Sequence, residues 1–328
     1  MKHLSRGILE DYEITGCQPE RVCAIQFGDD ACLMGVADRL LDDANRAGAH
    51  VGLAVVQSGS AGHAGALKSQ DGIYTVVIRG ELNGAEVNRE QVVQCVLAAY
   101  EPEEDDEALR ALARSGEVEF GLMHRDETGE FAARNAVNVA LAARFLVERF
   151  RAGLKPMAMI VLGDSTECAR DTQREIGLVL SAWRAGADCD QWMAGCRFFP
   201  ALAESMVCRS DGEEAARLCR KMNYADAMIH LAEPYARWTI QADEEFQRAF
   251  PLEGFVEYTR DIGAAFDRKH RLFDAGLGVM AALGCLRGNL TLKDCMKDEL
   301  LRRKLGDAFY NELIPFAPMS REDAAEYV

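Results

Sequence analysis

The chain has no CxxC pair among its eleven cysteines, no long apolar run and a shortage of positive charge. Lys and Arg number 37 against 53 Asp and Glu, a net charge of −16. Phosphate backbones are met by clustered cations, so nucleic acid is excluded as a partner, and an anionic membrane surface is disfavoured on the same ground. Most of the acidity reads as a solvated face. No window approaches the ~18 consecutive apolar residues of a membrane-spanning helix. The first residues, Met1 to Gly7, lack the apolar run of a signal peptide. A cytoplasmic protein is expected. The scattered cysteines fit buried thiols in a reducing compartment better than disulfides. Cys189, Cys196, Cys208 and Cys219 have irregular spacing, so they read as small buried side chains rather than zinc ligands, and no metal is expected.

With 328 residues and 49% hydrophobic content, the chain can build two domains, each with a core. Arg21 to Phe27 is a short apolar run ending at Gly28. An apolar-periodic stretch follows at 31–47, then a second run at Val51–Val56. Strand, glycine turn, helix, strand is the opening of a doubly wound fold. Further strands are expected at 72–79, 117–123 and 157–162, with a loop over 58–72. Helices are expected at 89–100, 104–115 and 131–152. Strand signals nearly vanish after about residue 200, and the patterns at 212–222, 256–286 and 291–312 are helical. The expected architecture is α/β: a Rossmann-like doubly wound sheet over 1–200, then a mainly α-helical domain over 201–328.

Several segments share order and approximate spacing with one family. They are Gln26-Phe27-Gly28, Val55-Val56-Gln57, Gln70 to Thr75 with Arg79-Gly80, Glu127 with Gly129, Leu231 to Tyr235 with Trp238, and Tyr310 to Pro315. Another is Asp267 to Leu277, which keeps Lys269, Arg271 and Leu272 of a K-x-R-L-x-N-x-x-H pattern. Together they resemble the polyol-specific long-chain dehydrogenases, the family of mannitol dehydrogenase and tagaturonate reductase (altronate oxidoreductase). The resemblance implies NAD(H) as cofactor, a sugar acid or polyol as substrate, and no catalytic metal. It implies Lys269 as proton carrier, with Asp274 and Arg170 at the positions of its polar helpers. It implies Phe27, Gly28, Asp30, Gln57 and Glu127 at the nucleotide.

The chain departs from the pattern where chemistry is expected. The family turn F-G-x-G-x-F-x-R reads Phe27-Gly28-Asp29-Asp30-Ala31-Cys32-Leu33-Met34. Asp30 replaces the second glycine, which lets backbone approach the pyrophosphate. A carboxylate ~4 Å from a phosphate charge costs about 4 kcal/mol at an effective dielectric of ~20, on the order of a thousandfold in affinity. The penalty shrinks if Asp30 turns to cap the following helix. Degeneracy of this turn weighs against NAD binding. Asp274 replaces the helix Asn and lies about 140° from Lys269 on an α-helix, while Leu277 replaces the His and can move no proton. His270 is about 100° round from Lys269 and a poor substitute. The family's F-P-G-K-L segment appears as Ala136 to Ala140, without its Lys, and the C-terminal region reads as shortened. Two readings follow: an oxidoreductase with altered residues, or a catalytically inactive homologue serving as a binding, regulatory or partner subunit. A protein partner completing the C-terminal domain is an expectation of the second. New acid–base chemistry at Asp164, Glu167 and Asp171 is weaker, because short acidic loops commonly cap helices.

Overall fold

The computed structural model describes residues 1–59, 62–126 and 131–327. By compactness the chain divides between Arg260 and Asp261 rather than near 200. The first unit is built on an eight-stranded sheet. Its parallel part runs in the spatial order 96–100, 52–56, 22–27, 120–125, 158–163, 197–204. That is the Rossmann order, with its reversal between the strands Val22–Phe27 and Phe120–Arg125. Strand 237–241 then adds antiparallel to 197–204, and 257–259 adds parallel to it.

The central strands are apolar on both faces because both are covered. Ala24, Leu53, Val55, Phe120, Leu122, Ile160 and Leu162 face one core, with Leu33, Met34 and Leu41 of the first crossover helix. Ile25, Ala54, Val56, Met123, Met159 and Val161 face the other, against Phe145, Leu146, Ile176 and Leu180. Alternation along each strand therefore separates two cores instead of core from solvent, as a sheet flanked by helices requires.

Three expectations are corrected. Residues 89–100 form strands Ala85–Val93 and Val96–Tyr100, not a helix. Ala85–Val93 pairs antiparallel with Tyr74–Leu82 through Asn83 and Gly84, whose φ values of 53° and 75° match a primed hairpin turn. Asn-Gly between β-branched runs was the missed signal. The expected loop over 58–72 contains a helix, Ala64–Ser69. Strands also continue past residue 200, at 207–209, 230–232, 237–241 and 257–259; they are three to five residues long, too short to leave a clear period. Two of them, 207–209 and 230–232, complete a four-stranded sheet with the 74–93 hairpin.

The α-helical part of that crossover helix, Asp38–Arg46, buries acids and amides as well as apolar groups. Asn45 exchanges hydrogen bonds with the Val51 backbone at 2.6 and 2.8 Å, and Asp42 accepts from the Gln94 amide at 2.7 Å. Asp38 accepts from the Tyr74 hydroxyl at 2.9 Å, yet among the described residues its Oδ1 finds no donor, and neither does Oε1 of Gln26. Burial pushes the Asp38 carboxyl up to about 7, against hydrogen bonds from Tyr74 and Gln26 and aided by the Asp30 and Asp42 charges. A neutral carboxyl supplies a donor that the charged form lacks.

The second unit, Asp261–Val328, is helical throughout its regular elements. Leu272, Ile314 and Ala324 form its buried centre, with Phe309 and Leu313 against them. Gly276 makes this packing possible, since a Cβ there would stand 2.3 Å from Phe309 Cζ. Among the described residues, no helix is long and apolar enough to cross a membrane.

The Asp38 carboxyl has a testable consequence. Its folded-state pKa lies above the unfolded value of about 3.9, so the folded state binds the extra proton and loses stability as pH rises between about 4 and 7. Asp38→Asn should flatten that slope and leave the variant more stable than the parent at pH 8. Urea unfolding of both proteins at a series of pH values measures it, and parallel pH profiles would refute the buried proton.

Candidate functional site

The site of the first unit follows from register. Phe27 lies level with Val56 on one side and Met123 on the other, so Gly28 leaves its strand beside His124, at the point of strand reversal. Ligands of open α/β sheets bind at such a point, outside the carboxyl ends of the strands. Gly28 has φ of +118°, and a Cβ would meet Asn138 Nδ2, Leu33 Cδ1 and Ser58 Oγ at 3.1 to 3.3 Å. Both backbone and space therefore call for glycine here.

Asp29 and Asp30 then diverge. Asp29 is buried and ties the turn to the segment after the next strand, accepting from the His63 amide at 2.6 Å, the His63 Nδ1 at 3.0 Å and the Ser58 amide at 3.3 Å. Asp30 turns into the helix that follows. Its Oδ1 accepts from the Cys32 amide at 2.9 Å and the Leu33 amide at 3.2 Å, and His124 Nδ1 stands 3.1 Å away. Orphan N–H groups at a helix start are the donors a diphosphate would use. Two of them are here held by a resident carboxylate.

Burial raises the Asp30 carboxyl, but the His124 charge, its hydrogen bond and the Leu33 and Cys32 amides prevail and hold it below the usual carboxylate range. Burial lowers His124, but the Asp30 carboxylate outweighs it, with Asp126 and Asp164 adding, and the imidazole is raised above its usual value. Arg125, next along the strand, forms a two-pronged ion pair with Glu175 at 2.8 and 2.9 Å.

The residues expected at the nucleotide have partners within the protein or lie outside the described residues. Phe27 is fully buried and packs edge-on against Phe145, a core role. Gln57 stays within its own loop, donating to the Gly59 carbonyl at 2.9 Å and accepting from the Ala64 amide at 3.0 Å. Glu127 lies outside the described residues. Arg170, the expected oxyanion helper, is exposed on a helix start and paired with Glu167. Asp171 pairs with Arg174 at 3.1 Å, and the Glu167 side chain does not cap its helix. His63, Ser58 and Asn138 were not foreseen. Asn138 is buried and accepts from the Ser58 hydroxyl at 2.7 Å, at the place where the family carries its F-P-G-K-L segment. A cavity of about 570 Å³ lined by Cys23, His50, Val51, Glu119 and Phe250 lies at the opposite, amino-terminal edge of the sheet, away from this chemistry.

The second unit carries the other candidates. The helix from Gly263 to Arg287 contains a π-helical turn over Lys269–Asp274, and the Ala275 amide reaches back five residues to the His270 carbonyl. That turn corrects the α-helical expectation that Asp274 lies on another face. Residues five apart are brought together, and Lys269 Nζ donates to Asp274 Oδ2 at 3.1 Å. The Lys269 side chain is 13% exposed, Asp274 is 38% exposed, and His270 Nε2 is 3.9 Å from the same carboxylate. Single π turns in α-helices occur frequently at functional sites.

The Asp30–His124 pair makes a signed prediction. The raised imidazole contributes stability that is fully present below the unfolded pKa of about 6.5 and fades as pH rises through the folded value. The depressed Asp30 loses its contribution as pH falls below about 3.9. His124→Ala should therefore cost about 1–3 kcal/mol near pH 5.5 and less near pH 9. Thermal unfolding across that range measures the difference, and a deficit independent of pH would contradict the pairing.

No family model matches the chain. Altronate oxidoreductase of Escherichia coli O1:K1 is 26% identical, over 100% of this chain and 70% of its own length. The altronate oxidoreductase of Bacillus subtilis is 22% identical, over 97% of this chain and 69% of its own length. In structure the chain is similar to Pseudomonas fluorescens mannitol 2-dehydrogenase, solved with NAD and D-mannitol, at a TM-score of 0.75 and 16% identity over 100% of this chain and 74% of that one. It is also similar to a substrate-free D-sorbitol dehydrogenase, at a TM-score of 0.78 and 16% identity over 98% and 73%. Over nearly its whole length the chain is therefore similar to altronate oxidoreductases, and it has the fold of the mannitol and sorbitol dehydrogenases.

Proposed function

We propose that the protein is an oxidoreductase that moves a hydride between NAD(H) and a sugar acid or related polyol, of the altronate–tagaturonate type. The observation that carries this reading is Lys269, mostly shielded from solvent on a π turn and held at 3.1 Å by Asp274. An opposite charge at that distance favours the ammonium form. A positioned ammonium suits proton donation to an alkoxide, the requirement of carbonyl reduction, more than proton abstraction from an alcohol. Asp274 acts as a positioning residue, in place of the family's Asn. The cofactor, when bound, supplies the hydride.

The nucleotide turn fits a dinucleotide in part. The Rossmann order, the reversal point and the positive-φ glycine match such a ligand. The donor set does so only once the Asp30 carboxylate leaves the Cys32 and Leu33 amides. This engagement favours a second reading, in which the chain binds a partner or ligand without turnover.

Three measurements separate the readings. Calorimetric titration with NADH should show weak, saturable binding, and Asp30→Gly should tighten it by about 10-fold to a thousandfold. Absence of any heat or thermal shift at millimolar NADH, in parent and variant alike, would overturn the dehydrogenase reading. Tagaturonate and related keto-sugar acids should oxidise NADH, followed at the nicotinamide absorbance. Lys269→Ala should lower kcat by about 100-fold or more with little change in NADH affinity. Unchanged kcat would remove Lys269 from the reaction.

A further inference from the structure

Among the described residues, one group of three potential metal donors converges: Asp30, Cys32 and His124. Their donor atoms lie within 4.8 Å of one another. We propose that these three side chains form a site for a divalent transition-metal ion of the zinc type. The inference stands apart from the dehydrogenase reading, because it needs no nucleotide.

Geometry is the first support. Tetrahedral zinc with bonds of about 2.0–2.3 Å sets its ligands roughly 3.6 Å apart. The Asp30–His124 pair, at 3.1 Å, is already near that spacing. No separation exceeds 4.8 Å, so none has to close by more than about an ångström, within the reach of side-chain rotation. The supports are firm: His124 lies within a strand, paired with Leu162 in the parallel ladder, and Asp30 and Cys32 sit two residues apart at a helix start.

Chemistry is the second. Imidazole with thiolate suits zinc, cobalt and copper, and disfavours magnesium and calcium, which prefer all-oxygen sites. An Asp30 carboxylate and a Cys32 thiolate carry two negative charges, and neutral His124 carries none, so the donor set balances a dication. The Nδ1–Oδ1 contact is where an ion would replace the shared proton, and binding would release that proton with the one from the thiol. Asp126 and Asp164 add negative potential around His124. Three protein ligands leave a fourth position open, as in zinc sites that hold water or substrate.

The test uses the full chain, stripped with a chelator and titrated with Co²⁺. The expected result is one equivalent bound at micromolar concentration, with a thiolate-to-cobalt charge-transfer band. Cys32→Ser should abolish the band, and His124→Ala should weaken binding at least about 10-fold. Cys208→Ser, at an exposed cysteine, should change nothing. In parent protein, where folding is not in question, Zn²⁺ should slow alkylation of Cys32 and leave that of Cys208 unchanged, read by mass spectrometry. No saturable binding, a band that survives Cys32→Ser, or alkylation of Cys32 indifferent to Zn²⁺ would overturn the site.

Discussion

Much of this protein's chemistry turns on what occupies the start of one helix. The strand Val22–Phe27 is buried on both faces and delivers Gly28 to the reversal point of the sheet. The helix behind it starts with N–H groups that need an acceptor. In a dinucleotide fold the ligand's phosphates serve. Here Asp30 serves, and His124 from the neighbouring strand completes the carboxylate's coordination. The arrangement needs no external anion to be stable. It also joins three segments: Asp29 holds the loop after the second strand, Asp30 holds the helix, and His124 holds the fourth strand.

The helical unit solves a different problem. An α-helix carries residues five apart to different faces. The π turn at Lys269–Asp274 alters that phase, so a lysine and a carboxylate that would diverge are joined. The substitution of Asp for the family's Asn therefore does not leave Lys269 without a polar neighbour. It replaces a neutral neighbour with a charged one, 3.1 Å from the lysine Nζ. Leu277, where the family has His, provides no matching group for proton removal. Under the proposed function, both changes favour carbonyl reduction over alcohol oxidation.

Legibility in the sequence followed the range of the interactions involved. Val22–Phe27 and Gly52–Val56 were readable because each is a run of apolar residues next to a glycine, a local signal. The kinship was readable because Lys269, Arg271 and Leu272 keep their spacing. The hairpin at Asn83-Gly84 was also local, but Val92, Val93, Val96 and Leu97 mimic a helical stripe, and β-branching at three of the four should have outweighed it. His124 could not be placed from sequence, because its partner Asp30 meets it only through parallel strand pairing across ninety-four residues. The Lys269–Asp274 contact was misjudged for the opposite reason: the residues are close in sequence, and the departure of one turn from α geometry decides the outcome.

Magnitudes show why an acid in the turn does not by itself abolish nucleotide binding. Left in place beside a phosphate, Asp30 would cost about 4 kcal/mol. Rotated away, it gives up a helix cap of about 0.5–2 kcal/mol and a hydrogen bond to His124 of about 1.5–3 kcal/mol. The incoming phosphate restores the acceptor for the Cys32 and Leu33 amides, so the cap term largely returns. The net cost is then closer to the His124 term alone. Against a micromolar cofactor, whose binding is worth about 8 kcal/mol, such a loss leaves affinity of tens of micromolar to sub-millimolar. If the proposed cofactor binds, a turn built this way would hold it weakly and refill itself with its own carboxylate on release.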